Sequence, residues 1–249
     1  MPDAVVSLRG VHVLYDGHPA LDGFDLELAA GERVALVGPS GAGKTTALRL
    51  CTASVMPTSG TVHVLGHDLQ EATTGQLRQV RRRIGTIYQQ LNLVGPLRVV
   101  HNVNSGRLGA WSRSRALASL VRPADVDVAR SALARVGIAD KLLERTDRLS
   151  GGEQQRVALA RVLVQAPELI LADEPVSSLD PARAEEVMDL LGEVVVDRRR
   201  TLLMSLHDFA LARRRCDRVV GVREGRVAFD LPASEVTDDV GAALYRIGS

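Results

Sequence analysis

Eight consecutive residues, Gly38-Pro39-Ser40-Gly41-Ala42-Gly43-Lys44-Thr45, fit the pattern G-x-x-x-x-G-K-[ST] and restrict the fold more than any other stretch of the chain. An apolar run at 33–37 precedes them and a helical run at 46–51, opening on Thr46, follows. That is the strand–loop–helix order a phosphate cradle requires. Glycines let backbone N–H groups turn inward around phosphate oxygens, and a helix start adds roughly half a positive charge. Lys44 is expected to reach the β- and γ-phosphates as a compact charge, and the Thr45 hydroxyl to ligate Mg²⁺. Lys44 is conspicuous in another way, because it and Lys141 are the chain's lysines and the other 29 of its 31 Lys and Arg residues are arginine. The segment predicts binding of a nucleoside triphosphate.

Short Val-, Ile- and Leu-rich runs alternate with helical patterns, which predicts an α/β fold with a mostly parallel sheet. Strands are expected at 5–13, 25–28, 33–37, 61–64, 83–88, 169–173, 201–205 and 218–222. The early ones alternate with period two and predict an antiparallel layer with one wet face, whereas 33–37 and 169–173 are uniformly apolar and read as covered on both sides. Between about Gln90 and Gln165 strand signals vanish and helical patterns such as 126–136 dominate. This predicts an inserted helical subdomain at 90–165, between core segments 1–89 and 166–249.

Leu169-Ile170-Leu171-Ala172-Asp173-Glu174 is an apolar strand ending in two carboxylates. Successive strand residues face opposite sides, so the two acids differ in role unless the strand ends there. Asp173 can hold Mg²⁺, and Glu174 can face the γ-phosphate and polarise the attacking water. Leu149-Ser150-Gly151-Gly152-Glu153-Gln154 precedes the helical run 155–165 and offers a second anion site at a helix start, or a plain serine N-cap. Asp180-Pro181 reads as an N-cap and first residue for a helix at 182–197, whose Val187, Leu190, Leu191 and Val194 form a core face.

Together these motifs resemble the nucleotide-binding subunit of ATP-binding-cassette (ABC) transporters, in the family's order and spacing and over essentially the whole chain. The resemblance implies a P-loop NTPase (RecA-like) core. It implies that Tyr15 stacks on adenine and that Gln89, or its neighbour Gln90, contacts Mg²⁺ and the attacking water. His207, after strand 201–205, matches the switch histidine that hydrogen-bonds the γ-phosphate. Ser177-Ser178-Leu179-Asp180 matches a loop that crosses a dimer interface. Two copies are expected to close head to tail, each ATP held between one cradle and the other copy's 150–153 turn. The helical subdomain would carry closure to a membrane-spanning permease, with the segment after Gln89 as hinge and a substrate-binding protein acting indirectly. Asn102-Val103-Asn104-Ser105-Gly106-Arg107-Leu108-Gly109 with Trp111, and 229–239, look like the corresponding stretches of phosphonate-import ATPases. Glu153 and Leu231 depart from that subfamily, which has glutamine and glycine there. Amino-acid importers and lipoprotein-handling ATPases share much of the pattern and remain open, as does a soluble cassette ATPase of repair or translation type.

Composition fits this reading. Thirty-one basic and 30 acidic side chains leave a net charge of +1, so no overall field points to nucleic acid. The arginine runs 81–83, 198–200 and 213–215 are expected to be solvated or interface faces. Cys51 and Cys216 make no disulfide framework, and His63 and His67 lack a helical metal-pair context. The first residues lack a secretory-signal pattern, the tail predicts no appended regulatory domain, and no apolar run approaches 18 residues. A peripheral position on the cytoplasmic face of the inner membrane is expected.

Overall fold

Strand β1 (Val6–Tyr15) turns through Asp16 and Gly17, at φ 49° and 81°, directly into β2 (His18–Leu28). A two-residue turn with both φ values positive has the twist that antiparallel strands need. The second strand therefore begins seven residues before the expected 25–28, pairing His18 with Tyr15. A computed structural model describes residues 4–177, 179–196 and 200–245.

The remaining strands are β3 (Arg33–Val37), β4 (Ser59–Val64), β5 (His67–Asp68), β6 (Ile84–Ile87), β7 (Leu169–Asp173), β8 (Thr201–Leu206), β9 (Arg218–Arg223) and β10 (Arg226–Pro232). The helices are α1 (Lys44–Cys51), α2 (Thr74–Arg82), α3 (Val99–Asn104), α4 (Arg113–Val121), α5 (Val126–Arg135), α6 (Gly151–Gln165), α7 (Pro181–Val196), α8 (Phe209–Arg215) and α9 (Asp238–Tyr245). Four strands form an antiparallel sheet in the order β2-β1-β4-β5. Six form a second sheet, β10-β9-β3-β8-β7-β6, parallel except at its β10 edge. Between β6 and β7 the chain makes only helices and turns.

The six-stranded sheet separates two apolar cores, and strand alternation assigns each residue to one of them. Val34, Leu36, Leu169 and Leu171 join β1, β2, β4 and α1 in one core. Ala35, Val37, Ile170 and Ala172 join α3, α5, α6 and α7 in the other. Uniformly apolar strands are what a sheet covered on both faces requires. Helices α3, α5 and α6 of the 90–165 stretch share that second core with β3, so Val99, Val103 and Leu133 pack in the same cluster as Val37.

Candidate functional site

β3 delivers the chain to the glycine loop at the sheet's C-terminal edge. At Gly38 a Cβ would collide with the Val222 carbonyl, and at Gly43 (φ 107°) it would lie 2.6 Å from the Ala20 carbonyl. Both positions therefore demand glycine, and the loop is wedged between β9 and β2. Gly43 is the N-cap of α1 without a side-chain cap, and no acidic residue lies in the first turn. The helix start thus keeps its amides and positive end for an anion. Lys44 is 4% exposed, and its Nζ donates to the carbonyls of Gly38 at 2.7 Å and Pro39 at 3.0 Å. Burial holds the ammonium below its usual range, opposed by the charges of Glu174 and Asp173.

β7 ends at Asp173, and Glu174 takes a left-handed conformation (φ 49°). That kink breaks the strand alternation and sends the two carboxylates to different partners. Asp173 Oδ1 accepts from Thr45 Oγ1 at 3.0 Å and from Ser205 Oγ at 2.7 Å. Ser205 Oγ in turn accepts from the Glu174 backbone N–H at 2.9 Å. The Glu174 carboxylate pairs with His207 Nε2. A non-glycine residue in this backbone region costs of order 1 kcal/mol or more and persists where its surroundings fix it, here through fully buried Ser205.

Thr45, Gln89, Gln90 and Asp173 line one cavity of about 430 Å³, so the residues expected around Mg²⁺ come together there, with both glutamines in the same wall. Leu91 and Asn92, next in the chain, are left-handed (φ 43° and 47°). Ser205 was not foreseen, although a lone hydroxyl at the end of a buried apolar strand was its visible signal. Tyr245 was missed as well; its hydroxyl donates to the His207 carbonyl at 3.3 Å.

The other candidates stand apart from this cluster. Tyr15 is half-exposed at the β1 hairpin end. Ser150 caps α6 in a reciprocal box, its hydroxyl accepting from Glu153 N at 3.3 Å while its own amide donates to Glu153 Oε2 at 2.8 Å. Hydrogen bonds from the Ser150 amide and hydroxyl hold the Glu153 carboxyl below its usual range, helped by Lys141. Ser150, Gly152 and Glu153 line a recess of about 180 Å³ with Arg156 and Arg183, and none of its lining residues also lines the cradle cavity. Gly151 begins α6 with open space around its Cα. Asp180 Oδ1 accepts from Arg183 N at 3.1 Å, the N-cap geometry expected, whereas Ser178 lies outside the described residues.

Residues 21–177 match the ABC transporter family. The chain belongs to it. Among relatives of this ABC protein, the phosphonates import ATP-binding protein PhnC 1 of Pseudomonas syringae pv. syringae (strain B728a) is 48% identical over 230 residues, covering 92% of this chain and 87% of that one. The phosphonates import ATP-binding protein PhnC of Anaeromyxobacter dehalogenans is 50% identical over 236 residues, 95% of this chain, which spans 47% of that relative's length. The structure of cbiO1 from Clostridium perfringens superposes with a TM-score of 0.81 at 27% identity, covering 97% of this chain and 94% of that one. A dimeric bacterial ABC transporter cassette, MJ0796, gives 0.79 at 29% identity, covering 92% and 98%. The fold is thus that of an ABC cassette, an α/β P-loop NTPase.

Arginines of the 81–83 and 213–215 runs of this ABC cassette lie at the surface, as expected, and pair with carboxylates of the same chain. Arg83 bridges Glu168, with 2.6 and 2.7 Å bonds, and Arg213 pairs with Asp238 at 2.7 Å. Arg214 and Arg215 share Glu185. Arg198 and Arg199 lie outside the described residues, and buried Arg200 donates to the Val194 carbonyl at 2.8 Å. Among the described residues no helix is long and apolar enough to cross a membrane.

Proposed function

We propose that the chain is the ATP-hydrolysing subunit of an ABC importer for phosphonate- or phosphite-type compounds. The observation that carries this reading is the 48% identity, over 92% of the chain, to a phosphonates import ATP-binding protein. The cradle built by Gly38, Gly43 and Lys44 supports the nucleotide part of it.

In this reading Tyr15 stacks on adenine, which is worth roughly 1–3 kcal/mol. The 38–46 loop holds the phosphates, with Pro39, Ser40, Gly41, Ala42 and Thr46 lending backbone and Lys44 its charge. Thr45, Asp173 and Gln89 suit Mg²⁺, since hard oxygen donors face one cavity from three elements. That ion would neutralise phosphate charge. Glu174 accepts the proton of the attacking water as it adds to the γ-phosphorus and ADP leaves, and His207 hydrogen-bonds the γ-phosphate. For this His207 must release Glu174, with which it pairs here.

Ser150, Gly151, Gly152 and Glu153 have no nucleotide in reach on their own chain and would meet the γ-phosphate of a second copy, with Asp180 at the seam. A dimeric neighbour structure and one bound to ADP and Pi are consistent with this assembly. The 90–165 segment would move as a unit against a permease at the cytoplasmic face of the inner membrane, with a substrate-binding protein supplying cargo. No role toward nucleic acid is assigned. Reconstituted with a phosphonate permease and its binding protein, the chain is expected to hydrolyse ATP faster when methylphosphonate is added. Stimulation by amino acids and not by methylphosphonate would overturn the phosphonate assignment.

A further inference from the structure

Helix α4 presents its apolar side outward. Leu117, Leu120 and Val121 stand at i, i+3 and i+4, so they share one face, and they are 68%, 59% and 91% exposed. At 3.6 residues per turn, Arg115 and Ser119 lie on the opposite side. Ser119 is the one buried residue of α4, and Arg115 sits over the Trp111 ring, 5.0 Å from its centroid, while reaching Asp125 at 2.6 Å. A surface helix ordinarily turns its apolar stripe toward the core. Large aliphatic side chains that cluster on the outside instead mark a surface made to meet something else.

Charge decides what meets it. No Asp or Glu stands between Glu71 and Asp125, a span that holds nine arginines in a chain of net charge +1. Asp125 pairs with two of them, Arg107 at 2.7 Å and Arg115 at 2.6 Å. Arg113, four residues before Leu117 and on its face, and Arg122, directly after Val121, are exposed. Among the described residues no carboxylate pairs with either. An aliphatic face with a free arginine at each end is complementary to an anionic bilayer. There the aliphatic groups enter the boundary between headgroups and acyl chains, and the guanidiniums reach back to the phosphates. A second copy would set the same arginines against each other, and nucleic acid would leave Leu117, Leu120 and Val121 unburied.

We propose that α4 is a lipid-contact element that seats the chain on an anionic phospholipid surface. No residue of α4 lines the Thr45–Asp173 cavity, so this contact is separate from nucleotide binding and goes beyond the importer reading.

Cosedimentation of the full chain with vesicles tests it. Binding should be at least about tenfold tighter to vesicles containing about 30% phosphatidylglycerol than to phosphatidylcholine alone, and should weaken in about 0.5 M salt. Leu117→Ser combined with Leu120→Ser should weaken it about tenfold or more, and Arg113→Gln combined with Arg122→Gln about fivefold or more. A second measurement leaves these side chains otherwise intact. An environment-sensitive dye on Leu120→Cys, selective because Cys51 and Cys216 are buried, should shift its emission to the blue when anionic vesicles are added. Absent binding, equal binding to the two vesicle types, or leucine variants that bind as the unaltered chain does would each overturn the proposal. So would a dye indifferent to vesicles that carry the chain down. Leucine variants whose only defect is in self-association, or in binding a permease in lipid-free detergent, would give the face to a protein and overturn it too.

Discussion

Ser205 shows how one hydroxyl can fix two carboxylates. Its oxygen donates to Asp173 and accepts from the Glu174 amide, so it sets both the direction of Asp173 toward Thr45 and the kink that aims Glu174 at His207. Ser205→Ala leaves a buried amide unpaired and removes one donor from Asp173. We expect a loss of about 1–3 kcal/mol in urea unfolding, together with slower ATP turnover. Turnover at the unaltered rate would mean that Glu174 keeps its aim without the serine. Glu174→Gln keeps the side chain's shape but cannot take a proton. Phosphate release should fall at least about 100-fold while ATP binding persists. In the reconstituted complex this variant should accumulate as a closed, nucleotide-loaded dimer. Normal turnover would transfer the base role to another residue.

Elements were legible where one physical pattern dominated. Strands β3 and β7 lie where uniform apolar runs put them, because both faces of each are covered. β10 left no such trace. None of its residues is fully buried; its trace is the alternation of half-buried Val227, Phe229 and Leu231 with exposed positions, as suits an edge strand with one covered face. β2 was read too short because its first half is signalled by the Asp16-Gly17 turn and not by hydrophobicity. The start of α1 depends on backbone room that only packing reveals. Gly43→Ala would force a left-handed alanine against the Ala20 carbonyl. It should lower stability by at least about 2 kcal/mol and abolish nucleotide binding, as followed by thermal melting with and without ATP. A melt unchanged by the substitution would show that β2 yields to the added methyl.

On the scale of the molecule, arginine–carboxylate pairs tie distant elements together. Arg33 bridges Asp217 at 2.5 Å, Arg83 bridges Glu168 and Arg215 bridges Glu185. The guanidinium hydrogen bonds hold the carboxyls of Asp217, Glu168 and Glu185 below their ordinary values. A carboxyl depressed in the folded state contributes stability that is present above its unfolded pKa, and loses it as pH falls through the folded pKa. Stability should therefore decline in acid below about pH 4. Asp217→Asn is expected to cost less than about 1 kcal/mol near neutral pH, because the pair is half-exposed, and to flatten the acid limb in denaturant titrations. An acid limb as steep as before would place the effect elsewhere. Closing a two-state assembly from mostly open to mostly shut takes about 5.5 kcal/mol of differential binding. Surface pairs of this size cannot supply it; in the proposed assembly that role falls to the two shared triphosphates.

The sequence by itself determined the cradle, the acidic strand end, the serine cap of α6 and the positions of the central strands. Each of these is a local demand: a glycine that takes a positive φ without strain, a serine at a helix start, an apolar run covered on both faces. Tertiary structure alone decided which of these pieces share a cavity. It placed Gln89 beside Thr45 and Asp173, set Ser205 beneath both acids, laid the Arg161 fork on Leu91 and Asn92, and put the 150–153 turn in a recess of its own. Those relations join residues tens of positions apart, 32 for Asp173 and Ser205 and 70 for Arg161 and Leu91, and chain closure over such distances is settled by packing. No spacing along the sequence encodes it.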